Sequence, residues 1–245
     1  MNLFYGELAP WWPLLSPIEE YADEAAAFIA TIEGRRPHAR TLLELGCGGG
    51  HIAWYLKARF DCTLTDLSPG MVEVSRIRNP ECAHAVGDMR DIELGRTFEV
   101  VFVHDAIEYM KTEQELAAAF VTAYHHLAPG GLALFVPDCV AERHEGGTEA
   151  GGSDAPDGRA ARYLEWNEDV EPASTLAVTH YSFLLREADG TVYTRYERHE
   201  LGLFPQATWV RLLEAAGFNV EIVEEQTDDD RSPRLFFIGH KPEAP

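Results

Sequence analysis

Three glycines alternate along the stretch TLLELGCGGGHIAWYL, between a short apolar run and a helical pattern. Gly46, Gly48 and Gly50 stand where a strand would turn sharply into a helix, and such a turn needs residues that are free to take a positive φ. A bulky ligand lying over the turn also needs backbone without Cβ atoms. The stretch therefore predicts a strand, a tight turn and a helix within an α/β sheet, with a ligand held on the turn.

The spacing of these glycines separates two classes of cofactor. A dinucleotide fingerprint counted from Gly46 needs a third glycine at position 51, where this chain has His51. The pattern present is Glu44-x-Gly46-x-Gly48-x-Gly50, an acidic residue followed by three alternating glycines. The sequence therefore disfavours an NAD-dependent oxidoreductase. If NADH failed to quench the tryptophan fluorescence of the protein, this hypothesis would be excluded.

Apolar segments with strand and helix periodicity alternate along the rest of the chain, as expected of a parallel sheet with right-handed crossovers. Capping boxes at Ser16 with Glu19 and at Thr112 with Glu115 mark two helix starts. The fold class predicted is α/β, a doubly wound and mostly parallel seven-stranded sheet. The predicted strands are 41–45, 62–67, 83–88, 98–105, 132–138, 219–225 and 234–241, and the predicted helices are 17–33, 51–56, 68–78, 112–127 and 205–217.

The alternation of strands and helices breaks after residue 138. Residues 141–159 are rich in Gly, Glu and Asp and predict a mobile loop. Two long alternating strands, 175–186 and 191–201, then meet at Asp189-Gly190, a strong hairpin signal. We therefore predict a small antiparallel β-lobe at 141–201 that sets substrate specificity, inserted into an α/β domain formed by 1–140 and 202–245.

Composition narrows the classes of partner. The net charge of −21 opposes phosphate backbones and anionic membrane surfaces, so we expect neither nucleic acid nor a membrane. No apolar run approaches the roughly 18 residues that span a bilayer, and the N-terminus lacks the basic segment of a signal peptide. We therefore expect a cytoplasmic protein with a small-molecule partner. Neither the cysteines nor the histidines show metal-ligand spacing, so no metal site is predicted.

The glycine-rich turn resembles the first motif of the class I S-adenosylmethionine-dependent methyltransferases, in which an E/D-x-G-x-G-x-G loop wraps the amino-acid portion and ribose of the cofactor. Asp66, in LTDLS, is similar to the acid that accepts both ribose hydroxyls, and VGDMRD matches the segment that contacts adenine. The cofactor-binding residues that the resemblance implies are Glu44, Gly46, Cys47, Gly48, Gly50, Asp66, Leu67, Met71, Asp88, Met89 and Tyr21.

A narrower resemblance concerns the inserted lobe together with GDMRD, HLAPGG and LFPQATWVRLLEAAGF. This combination is similar to N-methyltransferases that act on nucleotide-linked amino sugars, although those enzymes often have Tyr-Asp where this chain has Tyr5-Gly6. The resemblance implies methyl transfer by in-line displacement from S-adenosylmethionine to a small polar metabolite. An amine acceptor is slightly favoured over a hydroxyl or a carboxyl. The alternative is a noncatalytic S-adenosylmethionine-binding protein that acts through a partner-binding surface. For assembly, we expect a homodimer.

The acceptor is expected beyond the end of the fourth strand, over VHDAIEYM, because open α/β sheets bind ligands there. An amine acceptor mainly needs positioning, a hydroxyl needs a general base, and a carboxylate needs a cationic clamp. The candidate catalytic residues are His104, Asp105, Tyr5 and His199. The candidate substrate contacts are Trp11, Trp12, Glu108, Tyr109, Tyr181 and Arg195.

Two of these assignments have alternatives. His104 and Asp105 would serve equally as a helix-capping pair, because Asp is a strong N-cap residue. The N-terminal aromatic residues Tyr5, Trp11 and Trp12 form either a lid that closes over the cofactor or an arm packed permanently on the sheet. Both faces of the last lobe strand, 191–201, carry polar and aromatic residues: one has Tyr193, Arg195, Glu197, His199 and Leu201, and the other has Thr194, Tyr196, Arg198 and Glu200. We therefore predict that this strand forms a wall of a polar pocket, with a hairpin edge exposed to solvent as the alternative.

Overall fold

The structure is a computed structural model, and it describes residues 3–171, 174–226 and 233–243. It has eleven strands among these residues: β1 Thr41–Leu45, β2 Asp61–Asp66, β3 Ala83–Val86, β4 Phe98–His104, β5 Leu127–Val136, β6 Gly147–Gly151, β7 Ala160–Asn167, β8 Leu176–Arg186, β9 Val192–Gly202, β10 Asn219–Glu224 and β11 Leu235–His240. Seven strands form one sheet in the order β10-β11-β5-β4-β1-β2-β3. Within this sheet β11 pairs antiparallel with both of its neighbours and the other pairings are parallel, which confirms the predicted sheet.

Helices cover both faces of the seven-stranded sheet. They are α2 Ala22–Arg35, α3 His51–Leu56, α4 Pro69–Arg78, α5 Glu113–His125 and α6 Gln206–Ala215, whereas α1 Trp12–Leu15 belongs to the N-terminal segment that packs on the other sheet. Successive side chains of a strand point to opposite faces. Leu43 and Val101 accordingly join the apolar core that includes residues of α5 and α6, whereas Leu42 and Val100 join the core that includes residues of α2 and α3. The sheet is therefore doubly wound, as predicted.

The four remaining strands form a second, antiparallel sheet in the order β6-β7-β8-β9. The predicted hairpin is confirmed, with Gly190 at φ +88° in the turn between β8 and β9. The prediction of a loop over 141–159 is wrong, because β6 lies in this stretch and pairs with β7. Strand β6 reads Gly-Thr-Glu-Ala-Gly and is exposed at an edge, so it has no apolar alternation, and its pairing depends on tertiary context.

The cap predicted at Thr112 forms, but its Glu115 side chain reaches the residue before the cap instead of Thr112 itself. Thr112 caps α5 by accepting from the Glu115 backbone N–H, at 3.2 Å, and the Glu115 carboxylate accepts from the Lys111 N–H. The helix predicted from about residue 17 begins as the 3-10 turn Ile18–Tyr21 and continues as α2, but the cap predicted at Ser16 is wrong. The Ser16 hydroxyl bonds to that of Tyr21 instead of capping, and a turn of 3-10 helix precedes the first residue of α2.

The N-terminal segment, residues 3–15, lies across the inner face of the antiparallel sheet. Its residues Leu8 and Trp11 are buried together with Phe183 and Leu185 of β8. Burial of a large apolar side chain of this kind contributes about 1.5–3 kcal/mol. The segment is therefore an arm fixed to the lobe. In the described part of the chain no helix is long and apolar enough to cross a membrane.

Candidate active site

A cavity of about 830 Å³ opens at the C-terminal ends of β1, β2 and β4, which is the edge predicted for ligand binding. Its size is that of a pocket for a cofactor or a drug-sized molecule. The structure brings together most of the residues expected there. The predicted residues that line it are Tyr5, Trp12, Tyr21, Glu44, Gly46, Cys47, Gly48, Asp66, Leu67, Asp88, Met89, His104, Asp105 and Tyr109.

The glycine-rich turn has the backbone conformation that the sequence predicted. Gly46, Gly48 and Gly50 have φ values of +79°, +51° and +72°. A Cβ atom on Gly46 would lie 2.9 Å from Cε of Met89 and still closer to Cβ of Ala106, so no side chain fits there. Around Gly48 the space is open, which leaves the backbone of the turn accessible from the cavity.

Asp66, at the end of β2, connects the glycine-rich turn to the turn that follows β2. One carboxylate oxygen accepts from the Gly48 N–H at 2.8 Å, and the other accepts from the Ser68 N–H at 2.8 Å. Burial raises the pKa of Asp66, and these two backbone hydrogen bonds oppose the rise. Each oxygen can accept more than one hydrogen bond, so the carboxylate can still bind two hydroxyls from the cavity.

Glu44, in β1, is a buried acid without a partner. Its Oε2 atom is buried and has no hydrogen-bond partner among the described residues, although the residue lines the cavity. Burial raises the pKa of Glu44 to about 8, and the nearby His104 lowers it only in part. A cationic group in the cavity would favour the ionised carboxylate, which makes this acid suited to hold an ammonium.

Two of the predicted cofactor-binding residues, Leu67 and Asp88, differ in whether their side chains already have partners in the protein. Leu67 is 61% exposed and lines the cavity, so it offers apolar surface that a ligand would cover. The Asp88 carboxylate accepts hydrogen bonds from the backbone and the guanidinium of Arg90, at 2.6–3.0 Å. The Arg90 hydrogen bonds lower the pKa of Asp88. An adenine amino group would therefore share this carboxylate with Arg90.

Asp105 stands at the end of β4 in an unusual backbone conformation. Among the described residues it is the one non-glycine residue with a positive φ, at +27°. Its side chain makes no capping hydrogen bond to the 3-10 helix Ala106–Tyr109, so the capping alternative is wrong. Residues in such strained conformations cluster at functional sites. Its carboxylate is about half exposed, at the wall of the cavity.

His104 precedes Asp105 and is held from several sides. Its Nε2 atom lies 3.0 Å from Oδ1 of Asp105 and 3.2 Å from a guanidinium nitrogen of Arg234. Burial lowers the pKa of His104, but the Asp105 carboxylate and other nearby acids outweigh it, so the pKa is raised overall. The charge of a protonated ring would attract the Asp105 carboxylate at this distance, which places His104 to orient Asp105.

Tyr5 and Tyr109 meet at the wall of the cavity, just beyond the end of β4. Their hydroxyl oxygens are 2.7 Å apart, and the Tyr109 hydroxyl lies 2.8 Å from Nδ1 of His199. Nε2 of His199 lies 3.3 Å from the carboxylate of Glu197. Burial is the main cause that raises the pKa of both tyrosines. Tyr5, Tyr109 and His199 thus form one row of neighbouring polar groups. They come from the N-terminal segment, the end of β4 and the lobe, respectively.

Seven predicted residues do not line the cavity: Gly50, Met71, Trp11, Glu108, Tyr181, Arg195 and His199. Glu108 is buried and accepts from the Cys139 N–H at 2.9 Å, so it holds the loop after β5. Gly50 caps α3, and Met71 is fully buried in α4. The sequence could not show this, because spacing along the chain does not tell whether a side chain faces the cavity or the core behind it.

Strand β9 lines the cavity as predicted, but not through the face that carries Tyr193, Arg195 and His199. The N-terminal segment covers that face, where Trp11 packs near Tyr193 and Arg195 pairs with Glu7 at 3.0 Å. Tyr181 of β8 packs beneath the same segment. Arg198 and Glu200, on the opposite face of β9, line the cavity instead. In a strand with polar and aromatic residues on both faces, sequence alone could not choose between them.

Comparison with known proteins shows what kind of cavity this is. Residues 42–131 match a family described as methyltransferase domain. The dTDP-3-amino-3,4,6-trideoxy-alpha-D-glucopyranose N,N-dimethyltransferase of Streptomyces venezuelae is 31% identical over 223 residues, which are 90% of this chain and 91% of that protein. The chain belongs to the class I S-adenosylmethionine-dependent methyltransferases. The cofactor and methyl donor is therefore S-adenosylmethionine.

Solved structures of methyltransferases agree over the whole fold, lobe included. The chain matches Streptomyces venezuelae DesVI with a TM-score of 0.80 and 28% identity, over 91% of this chain and 92% of that one. It matches S-adenosylmethionine-bound CalS10, an amino pentose methyltransferase from Micromonospora echinaspora, with a TM-score of 0.75 and 26% identity, over 90% and 91%. The predicted Rossmann-like methyltransferase fold with an inserted β-lobe is confirmed.

The cavity of this methyltransferase fits the cofactor at three points. The unpartnered oxygen of Glu44 suits its ammonium, the accessible backbone at Gly48 suits its amino-acid portion, and Asp66 has acceptor capacity for its ribose hydroxyls. These fits support the roles that the resemblance implied, which we retain as proposals.

One contact in the methyltransferase was missed by the sequence analysis, which used His51 only to exclude a dinucleotide. The Trp12 indole N–H donates to Nδ1 of His51 at 2.7 Å, and a Cβ on Gly49 would lie 2.8 Å from the same indole nitrogen. Burial, with a smaller effect of Arg78, lowers the pKa of His51 to about 3, so its ring is neutral and Nδ1 can accept. The N-terminal segment is thus fastened to the glycine-rich turn.

Trp12→Phe tests this contact. The substitution leaves Nδ1 of the buried His51 without its donor, so the free energy of unfolding is expected to fall by about 1–3 kcal/mol. The matched control is Trp54→Phe, since Trp54 is 45% exposed on α3, with an expected change within about 0.5 kcal/mol. Urea unfolding of both variants measures the difference. Equal losses would mean that the indole contact adds nothing.

Proposed function

We propose that this methyltransferase transfers a methyl group from S-adenosylmethionine to the amine of a nucleotide-linked amino sugar, by in-line displacement. Support comes from relatives whose names state this class of substrate. The Streptomyces venezuelae enzyme is one, and the dTDP-3-amino-3,6-dideoxy-alpha-D-glucopyranose N,N-dimethyltransferase of Streptomyces fradiae, 29% identical over 90% of this chain and 87% of that protein, is another. The likeness includes the lobe, which we propose to set acceptor specificity.

The negative charge at the cavity wall is the observation that favours an amine as the acceptor. We call the part of the cavity lined by Asp105, Tyr5 and Tyr109 its acceptor end. The Asp105 carboxylate would attract a cationic amine there. A carboxylate acceptor would instead need a cationic clamp. The Arg and Lys side chains among the described lining residues are each paired with a carboxylate: Arg90 with Asp88 and Glu115, Lys111 with Glu200, and Arg198 with Glu200.

The main contribution of the protein is then to position the amine, because the methyl group is already activated by the cofactor. When bound, S-adenosylmethionine supplies a methyl group already activated by its sulfonium. Holding an amine in line with such a group is an entropic task that enzymes perform by fixing geometry. We assign this task to Asp105, which would bind the amine, and to His104, which would orient Asp105. The division into two domains, the homodimer and the cytoplasmic location remain predictions.

Asp105→Asn tests the assigned role. Asn accepts the φ value at this position more readily than most residues, so the backbone should be kept. Loss of a charge-assisted hydrogen bond of about 1.5–3 kcal/mol is expected to lower kcat/KM for the amine about 10- to 100-fold, with unchanged affinity for S-adenosylhomocysteine. The control is Asp91→Asn, an exposed aspartate. Unchanged kcat/KM in Asp105→Asn would remove Asp105 from the acceptor site.

The substrate class is tested by incubating the protein with methyl-labelled S-adenosylmethionine and matched acceptors. A dTDP-linked amino sugar, its hydroxyl counterpart and a dicarboxylic acid cover the three chemistries. Label on the amino sugar alone is expected. Label on the hydroxyl or the acid would overturn the assignment of an amine, and binding without transfer to any acceptor in a metabolite extract would favour the noncatalytic alternative.

A further inference from the structure

A row of hydrogen-bonded groups leads from the acceptor end of the cavity into the lobe. The hydroxyls of Tyr5 and Tyr109 are 2.7 Å apart, and the Tyr109 hydroxyl is 2.8 Å from Nδ1 of His199. Tyr5 and Tyr109 line the cavity, whereas His199 is 2% exposed and lies behind them. The row therefore has one end at the ligand and the other in the interior of the lobe.

We propose that this row is a proton relay that deprotonates the acceptor amine before it is methylated. The proposal rests on the amine acceptor proposed above. An amine is largely protonated near neutral pH, and an ammonium has no lone pair with which to attack a methyl group. The role of the relay is to let the protein bind the abundant ammonium form and release its proton inside the site.

The transfer balances as three proton shifts. The acceptor ammonium gives its proton to the Tyr5 oxygen, the Tyr5 hydroxyl proton passes to the Tyr109 oxygen, and the Tyr109 hydroxyl proton passes to Nδ1 of His199. The N–H bond of the ammonium breaks, its electron pair stays on nitrogen, and an imidazolium forms. Both tyrosines end neutral, so their raised pKa values do not oppose the transfer.

Glu197 is suited to stabilise the imidazolium. Its carboxylate lies 3.3 Å from Nε2 of His199, and both residues are buried in β9. Burial lowers the pKa of His199, and the charge of Glu197 opposes that effect. The neutral ring can therefore accept a proton from Tyr109, and the carboxylate compensates the charge that results.

Glu197 also ties the relay to the N-terminal segment. Its two oxygens accept from the backbone N–H groups of Leu3 and Phe4, at 2.5 and 2.8 Å. The same segment carries Tyr5, the first member of the row. The relay is thus complete only while the segment lies on the lobe, so Glu197 is a positioning residue for both ends.

Other titratable groups face the row from the elements packed against it. Tyr181 of β8 packs on the His199 ring with centroids 4.9 Å apart. Asp66 and Asp105 act on Tyr5 by their charge, and Glu108 acts on Tyr109. The negative charges of Asp66, Asp105 and Glu108 favour a positive charge near the row. His104 is not a member of the row, because its Nε2 atom lies 3.0 Å from Oδ1 of Asp105 and 3.2 Å from Arg234.

Tyr109→Phe tests the relay, because it removes one oxygen and keeps the ring. With a dTDP-linked amino sugar, kcat/KM is expected to fall about 100-fold at neutral pH. The loss should shrink to within a few-fold above the pKa of the amine, where the substrate is already deprotonated. Tyr193→Phe is the matched control in the same lobe, since its hydroxyl bonds to Glu187 away from the cavity.

Affinity for S-adenosylhomocysteine, measured by calorimetry, should be unchanged in Tyr109→Phe and confirms that the protein is folded. His199→Gln provides a second break in the same row and should give the same pH-dependent loss. A loss that is equal at every pH, or no loss in either variant, would overturn the relay while leaving the amine acceptor in place. Absence of transfer by the wild-type protein at every pH would instead overturn the proposed function.

Discussion

Gly46→Ala is expected to lower the free energy of unfolding by about 2–5 kcal/mol, since left-handed backbone strain costs about 1–2 and overpacking about 1–3 kcal/mol. Gly46 has a φ of +79°, and the added Cβ would lie 2.9 Å from Cε of Met89 and closer to Cβ of Ala106. Because the turn must shift to make room, affinity for S-adenosylhomocysteine should fall as well. Urea unfolding and calorimetric titration measure the two effects.

Gly34→Ala is the control for this substitution. Gly34 lies exposed in α2, and a Cβ there meets nothing within 4 Å. Replacement of a helical glycine by alanine is expected to add about 0.5–1 kcal/mol of stability. If Gly46→Ala were as stable as the wild type, the glycine-rich turn would not need the conformation seen here.

Asp66→Ala is expected to weaken binding of S-adenosylhomocysteine by about 2–4 kcal/mol, which is a factor of roughly 30 or more in Kd. The carboxylate can accept charge-assisted hydrogen bonds from the ribose hydroxyls. It also accepts hydrogen bonds from the backbone N–H groups of Gly48 and Ser68. Calorimetry measures the affinity. Asp66→Asn, which keeps the size and one acceptor oxygen, should lose less.

Asp61→Ala provides the control at the exposed first residue of the same strand, and its affinity should match that of the wild type. Thermal unfolding of the ligand-free variants separates loss of binding from loss of the turn. Unchanged affinity in Asp66→Ala would mean that the ribose does not lie against β2.

The sheet and the cofactor end of the site could be predicted because their signals are local. The alternating glycines dictate a positive-φ turn, and an acid at the end of the next strand must lie beside that turn when parallel strands are neighbours. Asp66 and Gly48 are indeed joined by a hydrogen bond. The hairpin at Gly190 was equally local.

The acceptor end could not be predicted to the same degree, because it is assembled from distant parts of the chain. Tyr5, Tyr109 and His199 were each singled out, yet no pattern says that their polar atoms touch, or that Glu197 lies beside His199. The contact between Trp12 and His51 joins residues 39 positions apart and has no sequence signal. Strand β6 depends on its pairing with β7.

The central claim is that a small-molecule amine is the methyl acceptor. Its most direct test is mass spectrometry of a dTDP-linked amino sugar after incubation with the protein and S-adenosylmethionine. The account predicts product heavier by one or two methyl groups, with fragmentation placing them on nitrogen. An unmodified amino sugar, or a methyl group placed on a hydroxyl oxygen, would contradict it.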